Sequence, residues 1–398
     1  MNKFIPLALC LLSTGAFAQE AKKAISFAEK QTDVMLQAIP VAKASATKPN
    51  AVVPRTLDSK GNLVLIPSKD WVSGFFPGEL WYLYDYTHNS KWLAAAKEYT
   101  AYIEQEQYDK GTHDLGFKIY CSFGNGYRLT KDPKYKEVIV TAAKTLSNRF
   151  SAKTGVIKSW DNRKEWKYPV IIDNMMNLEL MFEATKLSGD SSFYKIAVSH
   201  ANTTLKNHFR PDYSSYHVID YDPETGAVLH KQTHQGYADE SAWARGQGWG
   251  LYGYTMCYRE TKNQVYLKQA EAIAKFILSN PNLPKDKVPY WDFNAPDIPN
   301  APRDASAAAL MASALYELST YSANGKQYRK TADQILNSLT KSYQPKPGES
   351  KGFLLLHSTG HKPANSEIDV PISYADYYYL EALLRQDRLT KGQPVVAM

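Results

Sequence analysis

A short turn recurs five times in this chain and limits the possible folds more than any other feature. Thr87-His-Asn-Ser-Lys-Trp92 is followed by Ala96, and Thr130-Lys-Asp-Pro-Lys-Tyr135 by Ile139. Ser188-Gly-Asp-Ser-Ser-Phe-Tyr194 leads to Val198, Thr261-Lys-Asn-Gln-Val-Tyr266 to Ala270, and Ser322-Ala-Asn-Gly-Lys-Gln-Tyr328 to Ala332. In each, Asn, Asp or Gly ends one helical pattern and begins the next. The aromatic residue and the small or apolar residue four positions later share a helix face. The chain therefore reads as helical hairpins. Helices are predicted near 25–39, 71–87, 91–107, 116–130, 134–150, 173–187, 191–209, 241–260, 264–280, 304–322, 326–343 and 372–388.

The two helices of a hairpin differ in kind. Those before the turns are rich in Gly, Ala and aromatic residues on most faces, as in Trp243-Ala-Arg-Gly-Gln-Gly-Trp-Gly-Leu-Tyr-Gly-Tyr254, which implies burial all round. Those after the turns carry Lys and Glu on one face, as in Tyr266-Leu-Lys-Gln-Ala-Glu-Ala-Ile-Ala-Lys275. Buried helices alternating with half-exposed ones predict two concentric rings, an all-α (α/α)6 barrel. Uneven spacing of the turns argues against a uniform solenoid. The extra length falls in insertions at 151–172, 210–240, 281–303 and 344–371. One of them reads as a β-hairpin, with Tyr216–Tyr221, a turn at Asp222-Pro-Glu-Thr-Gly226 and a second short run. No linker divides the chain, so residues 19–398 are read as a single domain.

Composition narrows the class. Of the 398 residues, 44% are hydrophobic and 22% charged, the balance of an ordinary globular protein. No apolar run is long enough to span a bilayer. Residues 1–18 read as a secretory leader, with a basic start at Lys3, an apolar stretch Phe4–Leu12 and the small-x-small ending Ala16-Phe17-Ala18. The mature chain is accordingly expected to be secreted or periplasmic, with no membrane attachment after cleavage. Cys121 and Cys257 remain. They could pair in an oxidising compartment, but both lie in apolar helical stretches where buried free thiols are equally expected. No C-x-x-C pair occurs, and no metal site is expected. The formal charge of +7 is carried without a basic run, which excludes a nucleic-acid stripe and suits an enzyme acting on an acidic substrate. The sequence leaves monomer and homodimer equally open.

The predicted barrel locates the chemistry. The inner helices all run one way, and the long insertions precede them, so both decorate one rim. Asp70-Trp71, His113-Asp114, Asp173-Asn174, the Gln235–Arg245 stretch and Arg303-Asp304 fall there. Helix N-termini offer free N–H groups and a positive dipole end, a setting for an anionic ligand. An Asp at such a place is often only an N-cap, the reading preferred for Asp304. Asp114 and Asp173 are the candidates for chemistry. Apolar neighbours Ile171 and Ile172 raise the carboxyl pKa of Asp173 and the helix N-terminus lowers it; a second carboxylate nearby would tip it toward holding a proton. Arg245 and Trp249 share a helix face, with Trp243 beside them. An Arg among aromatic rings suits clamping a carboxylate above a stacked sugar, and equally a buried Arg–Asp pair. His217 and Gln235 lie on the hairpin insertion.

Taken together the motifs have a family likeness. Trp71-Val-Ser-Gly-Phe-Phe-Pro-Gly78, His113-Asp-Leu-Gly-Phe117, Ile172-Asp-Asn-Met-Met-Asn177, Ser215-Tyr-His217, Thr233-His-Gln-Gly236, Trp243-Ala-Arg-Gly-Gln-Gly-Trp249, Pro289-Tyr-Trp-Asp-Phe293 and Arg303-Asp-Ala-Ser-Ala307 resemble the unsaturated glucuronyl hydrolases, glycoside hydrolase family 88. The resemblance implies an (α/α)6 barrel and a substrate made by polysaccharide lyases, an oligosaccharide ending in a 4,5-unsaturated uronic acid. It implies no metal or organic cofactor. It assigns Asp173 as the acid that protonates C4 and then the base for water, and Asp114 as its assistant. It places Trp71, His113, His217, Gln235, Arg245 and Trp249 around the uronate. In the loop before the last inner helix, Ser358, Thr359, His361 and Lys362 are candidates for binding substrate sulfate, although their spacing departs from the family motif. Glycosaminoglycan disaccharides are the expected substrates, with ulvan fragments open. The alternatives are a related hydrolase of unsaturated rhamnogalacturonan fragments and a noncatalytic periplasmic glycan-binding protein.

Overall fold

The computed structural model describes residues 6–46, 50–161 and 164–396. Its turns explain its helices. Four hairpin turns share one two-residue device, a left-handed residue that ends a helix followed by an Asn or Asp whose side chain caps the next. The pairs are His88–Asn89, Lys131–Asp132, Gly189–Asp190 and Lys262–Asn263. Each capping side chain accepts the backbone N–H two residues on, satisfying a donor the helix cannot. The fifth turn, before Gly325, has no side-chain cap.

The helices follow the predicted order. Between α1 (Pro6–Ala44) and α12 (Ser373–Thr390) lie α2 (Phe75–Thr87), α3 (Ser90–Ala101), α4 (Asn125–Thr130), α5 (Pro133–Ser147) and α6 (Leu178–Ser188). They are followed by α7 (Ser191–Asn207), α8 (Ala244–Thr261), α9 (Gln264–Ser279), α10 (Ala305–Leu318) and α11 (Gly325–Ser342). The even-numbered helices pack in a closed ring from α2 round to α12 and back, with the Gly116–Gly124 segment that leads into α4 filling the place between α2 and α6. α10 is buried along its whole length and α12 through Asp387, in keeping with the Ala, Leu and Tyr residues that dominate them. The odd-numbered helices lie outside and bury one stripe each. This is the (α/α)6 barrel expected.

Three departures matter. The first helix is far longer than residues 25–39; the leader reading rests partly on Met1–Ile5, which lie outside the described residues. Residues 116–130 are not one α-helix. Gly116–Gly124 form a π-helix that runs into α4. Its wide turn accommodates Lys118, wholly buried and neutralised by Glu106 at 3.0 Å and Asp109 at 2.7 Å. Such π-turns recur at functional sites. Thirdly, a hairpin of β1 (Val53–Leu57) and β2 (Leu63–Ile66), not anticipated, precedes α2.

The rim is made of small sheets. β3 (Phe150–Ser151) pairs with β4 (Val156–Ile157). The predicted hairpin is present as β6 (Val218–Tyr221) and β7 (Val228–Gln232), and β5 (Pro169–Ile171) adds a third strand. β8 (Ser358–His361) and β9 (Ser366–Val370) form the last hairpin. Cys121 and Cys257 are buried free thiols.

At the opposite end the barrel axis is polar. Arg259 of α8 binds both oxygens of Glu317 on α10, at 2.9 and 3.0 Å, and also Glu179 on α6. Arg385 of α12 donates to the Ser313 carbonyl at 2.9 Å and to Tyr252 at 2.8 Å. Glu381 accepts from Tyr82, Tyr252 and Ser313. Five inner helices meet in this network. Burial pushes the Glu179 carboxyl up to about 7 despite Arg259 beside it.

Behind the rim, His208 holds β5 through Nε2 and the Val170 carbonyl at 3.1 Å, and burial depresses its ring pKa to about 3. An unfolded histidine takes up a proton near pH 6.5. The stability contributed by the neutral ring is therefore full above pH 6.5 and is lost as pH falls toward 3, by about 1.4 kcal/mol per unit. In urea titrations at pH 7 and pH 5, the native chain should lose about 2 kcal/mol more than His208→Gln. Equal losses would show that His208 does not stay neutral.

Candidate active site

The three aspartates at the starts of inner-helix segments behave differently. Asp304 caps α10, accepting Ser306 N and Ala307 N, as the sequence suggests. Asp173 does not cap. It lies in the first turn of a 3-10 segment, Ile172–Asn177, whose N-cap is Ile171 and which leads into α6. Its Oδ2 is buried and has no hydrogen-bond partner among the described residues; His217 Nε2 faces it at 3.6 Å. Asp114 does not cap either. It receives the Thr112 hydroxyl at 2.6 Å and faces His113 Nε2 at 3.2 Å, with its side chain 14% exposed.

Backbone contact brings the two carboxylate-bearing turns together. Gly116 packs against Asn177 so closely that an added Cβ would stand 2.5 Å from the Asn177 Cα. Asn177 Oδ1 accepts Phe117 N at 3.2 Å. The turn that follows Asp114 is thus riveted to the turn that follows Asp173. Only glycine allows this approach.

The hydrogen bonds of His217 fix its tautomer. Nδ1 accepts from His234 N at 3.0 Å and Gln235 N at 3.1 Å, so it carries no proton. The ring proton is then on Nε2, aimed toward Asp173. The ring also packs on Trp243, with centroids 4.7 Å apart. Gln235 is half-buried and donates through Nε2 to the Gly360 carbonyl at 3.2 Å.

Arg245 needs a correction. It is not a free clamp, for its guanidinium is held by the protein. Nη1 binds Asp304 at 2.7 Å and the Thr359 carbonyl at 2.7 Å, and Nη2 binds the Gly360 carbonyl at 2.6 Å. Trp243 and Tyr374 lie against its faces, at 4.6 and 5.2 Å. Of the two readings the sequence allowed, the structure shows the buried Arg–Asp pair. That pair fastens β8 to the barrel beside Asp173, whose charge acts on Arg245. His113, Trp249 and Ser358, also expected around the substrate, are completely buried. His113 braces Asp114 and meets Ser159 at 3.4 Å. Trp249 lies beneath Phe117, its ring centroid 5.2 Å away, with its indole N–H unpartnered. Trp71 is only partly buried and is tilted on Tyr374 at 5.2 Å. Lys362, at the tip of the last hairpin, is half-buried and has no ion-pair partner among the described residues.

Four further residues belong to this neighbourhood and escaped the sequence reading. Asn177 sets the spacing of the turns, and Tyr374 sits between Trp71 and Arg245. Asp292 holds the Gln235 loop by accepting Tyr237 N at 2.9 Å and the Ser241 hydroxyl at 2.7 Å. Trp160 bridges by its backbone to Thr112 and stands edge-on to His217. Asn177 and Asp292 lie in motifs noted above, and Trp160 had the signal of an aromatic residue in a rim insertion.

Comparison with known proteins agrees with this arrangement. The family model described as Glycosyl Hydrolase Family 88 matches residues 53–393. An unsaturated glucuronyl hydrolase of Formosa agariphila is 55% identical over 327 residues, covering 81% of this chain and 82% of that protein. An unsaturated chondroitin disaccharide hydrolase of Streptococcus pneumoniae is 33% identical over 329 residues, covering 81% and 83%. Among solved structures, an unsaturated glucuronyl hydrolase specific for heparin superposes with a TM-score of 0.86 at 47% identity, covering 93% of this chain and 98% of that one.

Paired and unpaired carboxylates should respond oppositely to mutation. Asp304→Ala strands a buried guanidinium and is expected to cost about 3–5 kcal/mol in denaturant unfolding. Asp173→Asn replaces a buried carboxyl whose Oδ2 has no hydrogen-bond partner among the described residues, and should leave the unfolding midpoint unchanged or raised. A large loss in the second variant would mark Asp173 as structural.

Proposed function

The chain belongs to glycosyl hydrolase family 88, and from that premise we propose that it removes the terminal 4,5-unsaturated uronic acid from lyase-generated, glycosaminoglycan-derived oligosaccharides. The observation that carries the reading is the unpartnered Oδ2 of Asp173, buried on a turn that is locked to the turn bearing Asp114. A carboxyl left unsatisfied by the fold is one kept available for a reacting group.

The unsaturated ring is a vinyl ether, and its chemistry differs from displacement at C1. In the proposed reaction Asp173 gives its proton to C4. Positive charge develops at C5 and the ring oxygen. The Asp173 carboxylate then takes a proton from water as that water adds to C5. The resulting hemiketal collapses with loss of the sugar partner. One group thus serves as acid and then base, restored to its starting state. Asp114, held by Thr112 and His113, supplies negative charge near the developing cation. His217 presents a fixed N–H donor beside Asp173. Trp71 offers a half-exposed ring for the sugar face.

Substrate sulfate is assigned to Lys362 alone among the four earlier candidates. Ser358 is completely buried, the Thr359 hydroxyl donates to the Arg303 carbonyl at 2.9 Å, and His361 Nε2 lies 2.8 Å from the His234 carbonyl. Export is proposed from the leader-like Met1–Gln19, which N-terminal sequencing of the secreted chain checks.

The test follows the ultraviolet absorbance of the conjugated C4=C5 bond in chondroitin and heparin disaccharides. The enzyme should bleach it, whereas a glycan-binding protein would not. Asp173→Asn should lower turnover by about 10³-fold, with folding intact by circular dichroism. Near-native rates in that variant would remove Asp173 from the role.

A further inference from the structure

We propose that Arg55, which lies outside the carboxylate-bearing turns, is a positioning residue that fixes Trp71 and Gln235 relative to each other and so sets the affinity for substrate. The inference rests on the hydrolase reading above, since it takes Trp71 and Gln235 as contacts to a bound sugar.

Arg55 is the extra residue of a β-bulge. Pro54 pairs with Leu65 and Thr56 with Val64, so Arg55 falls between two successive pairs. A bulge turns its side chain out of the regular alternation, and bulges recur beside active sites. Here the bulge delivers the guanidinium between two carboxylates. Nη1 binds both oxygens of Asp70, at 2.8 and 2.9 Å, while Nε and Nη2 bind Glu367 of β9 at 2.5 and 2.8 Å. None of the three side chains is more than 22% exposed, so salt screens these pairs less than surface ones.

Each carboxylate leads to one of the sugar contacts. Asp70 accepts Val72 N at 3.1 Å and so braces the turn that carries Trp71; its own carbonyl accepts Ser73 N at 3.0 Å. Glu367 lies across the hairpin from Gly360. A Cβ added to Gly360 would stand 2.6 Å from the Glu367 Oε2 and 2.7 Å from its Cβ. The Gly360 carbonyl in turn accepts Gln235 Nε2 at 3.2 Å and Arg245 Nη2 at 2.6 Å. Glu367 itself is left-handed, with φ of 53°, a conformation unfavourable for a residue with a side chain. The two-point grip of Arg55 holds it there. Without that grip Glu367 relaxes toward an ordinary strand conformation, Gly360 moves with it, and Gln235 loses its setting against Trp71.

Steady-state kinetics on the unsaturated chondroitin disaccharide, read by ultraviolet bleaching, test Arg55→Gln alone and combined with Gln235→Ala. Arg55→Gln should raise KM about tenfold and leave kcat within about twofold, because both contacts bind substrate and transition state alike. In the Gln235→Ala background the same change should have a smaller effect, since one route to the substrate is already cut. Arg55→Lys keeps the charge without the fork; it should fold as the native chain does and raise KM about threefold. That variant decides the matter where Arg55→Gln does not fold. A native KM in the folded Arg55 variants, a loss confined to kcat, or equal factors in the two backgrounds overturns the assignment and leaves the hydrolase reading standing. A native chain that bleaches neither this disaccharide nor its heparin counterpart overturns both.

Discussion

A buried ionic knot on the barrel axis sets the geometry of everything above it. Arg259, Arg385, Glu179, Glu317 and Glu381 come from four inner helices, and Tyr82 joins from a fifth. Each charged group is hydrogen-bonded or ion-paired to groups on other helices, so none can shift without stranding a partner. Polar groups at the centre of an otherwise apolar ring specify which helix stands beside which, a selectivity that Leu and Ala faces alone do not provide. The knot gathers the C-terminal halves of α8, α10 and α12 with the middle of α2 and the first turn of α6. The rim beyond it, where the ring is not pinned, is where the carboxylates and the insertions meet.

That arrangement explains why the rim holds buried polar atoms without partners. Asp173 Oδ2, His217 Nε2 and the Trp249 indole nitrogen are unsatisfied, while nearby backbone and Arg245 are fully occupied in holding loops. Paired and unpaired atoms interleave here: Asn177 sets the spacing of the turns through Oδ1, yet its Nδ2 has no hydrogen-bond partner among the described residues. His217 shows both in a single ring, with Nδ1 taking two backbone donors and Nε2 left facing Asp173.

Much of this was legible in the sequence, and for physical reasons. The turns announce themselves because a helix end needs a left-handed residue and the next start needs a capping oxygen, as at Gly189–Asp190. Burial all round was readable from the Gly, Ala and aromatic content of Trp243–Tyr254. Asp114 and Asp173 stood out by their place at inner-helix starts. What could not be read was which way a charge is satisfied. Arg245 followed by Trp249 looks the same whether its guanidinium waits for a ligand or grips Asp304 and two carbonyls across the chain. The π-turn at Gly116–Gly124 was also hidden, because apolar spacing does not reveal an extra residue per turn when the decisive contact, Lys118 with Glu106 and Asp109, lies outside the segment. Asn177 reads as one more polar residue until Gly116 is seen against it.

The two-residue turns leave the underside of the barrel smooth. His88–Asn89, Lys131–Asp132 and Lys262–Asn263 join helices without any loop that reaches toward the carboxylates, and the amines of Lys131 and Lys262 lie over tyrosine rings beside the turns. A molecule of this shape can be fused to another protein or held against a surface by its base while its opening stays clear for incoming sugar chains.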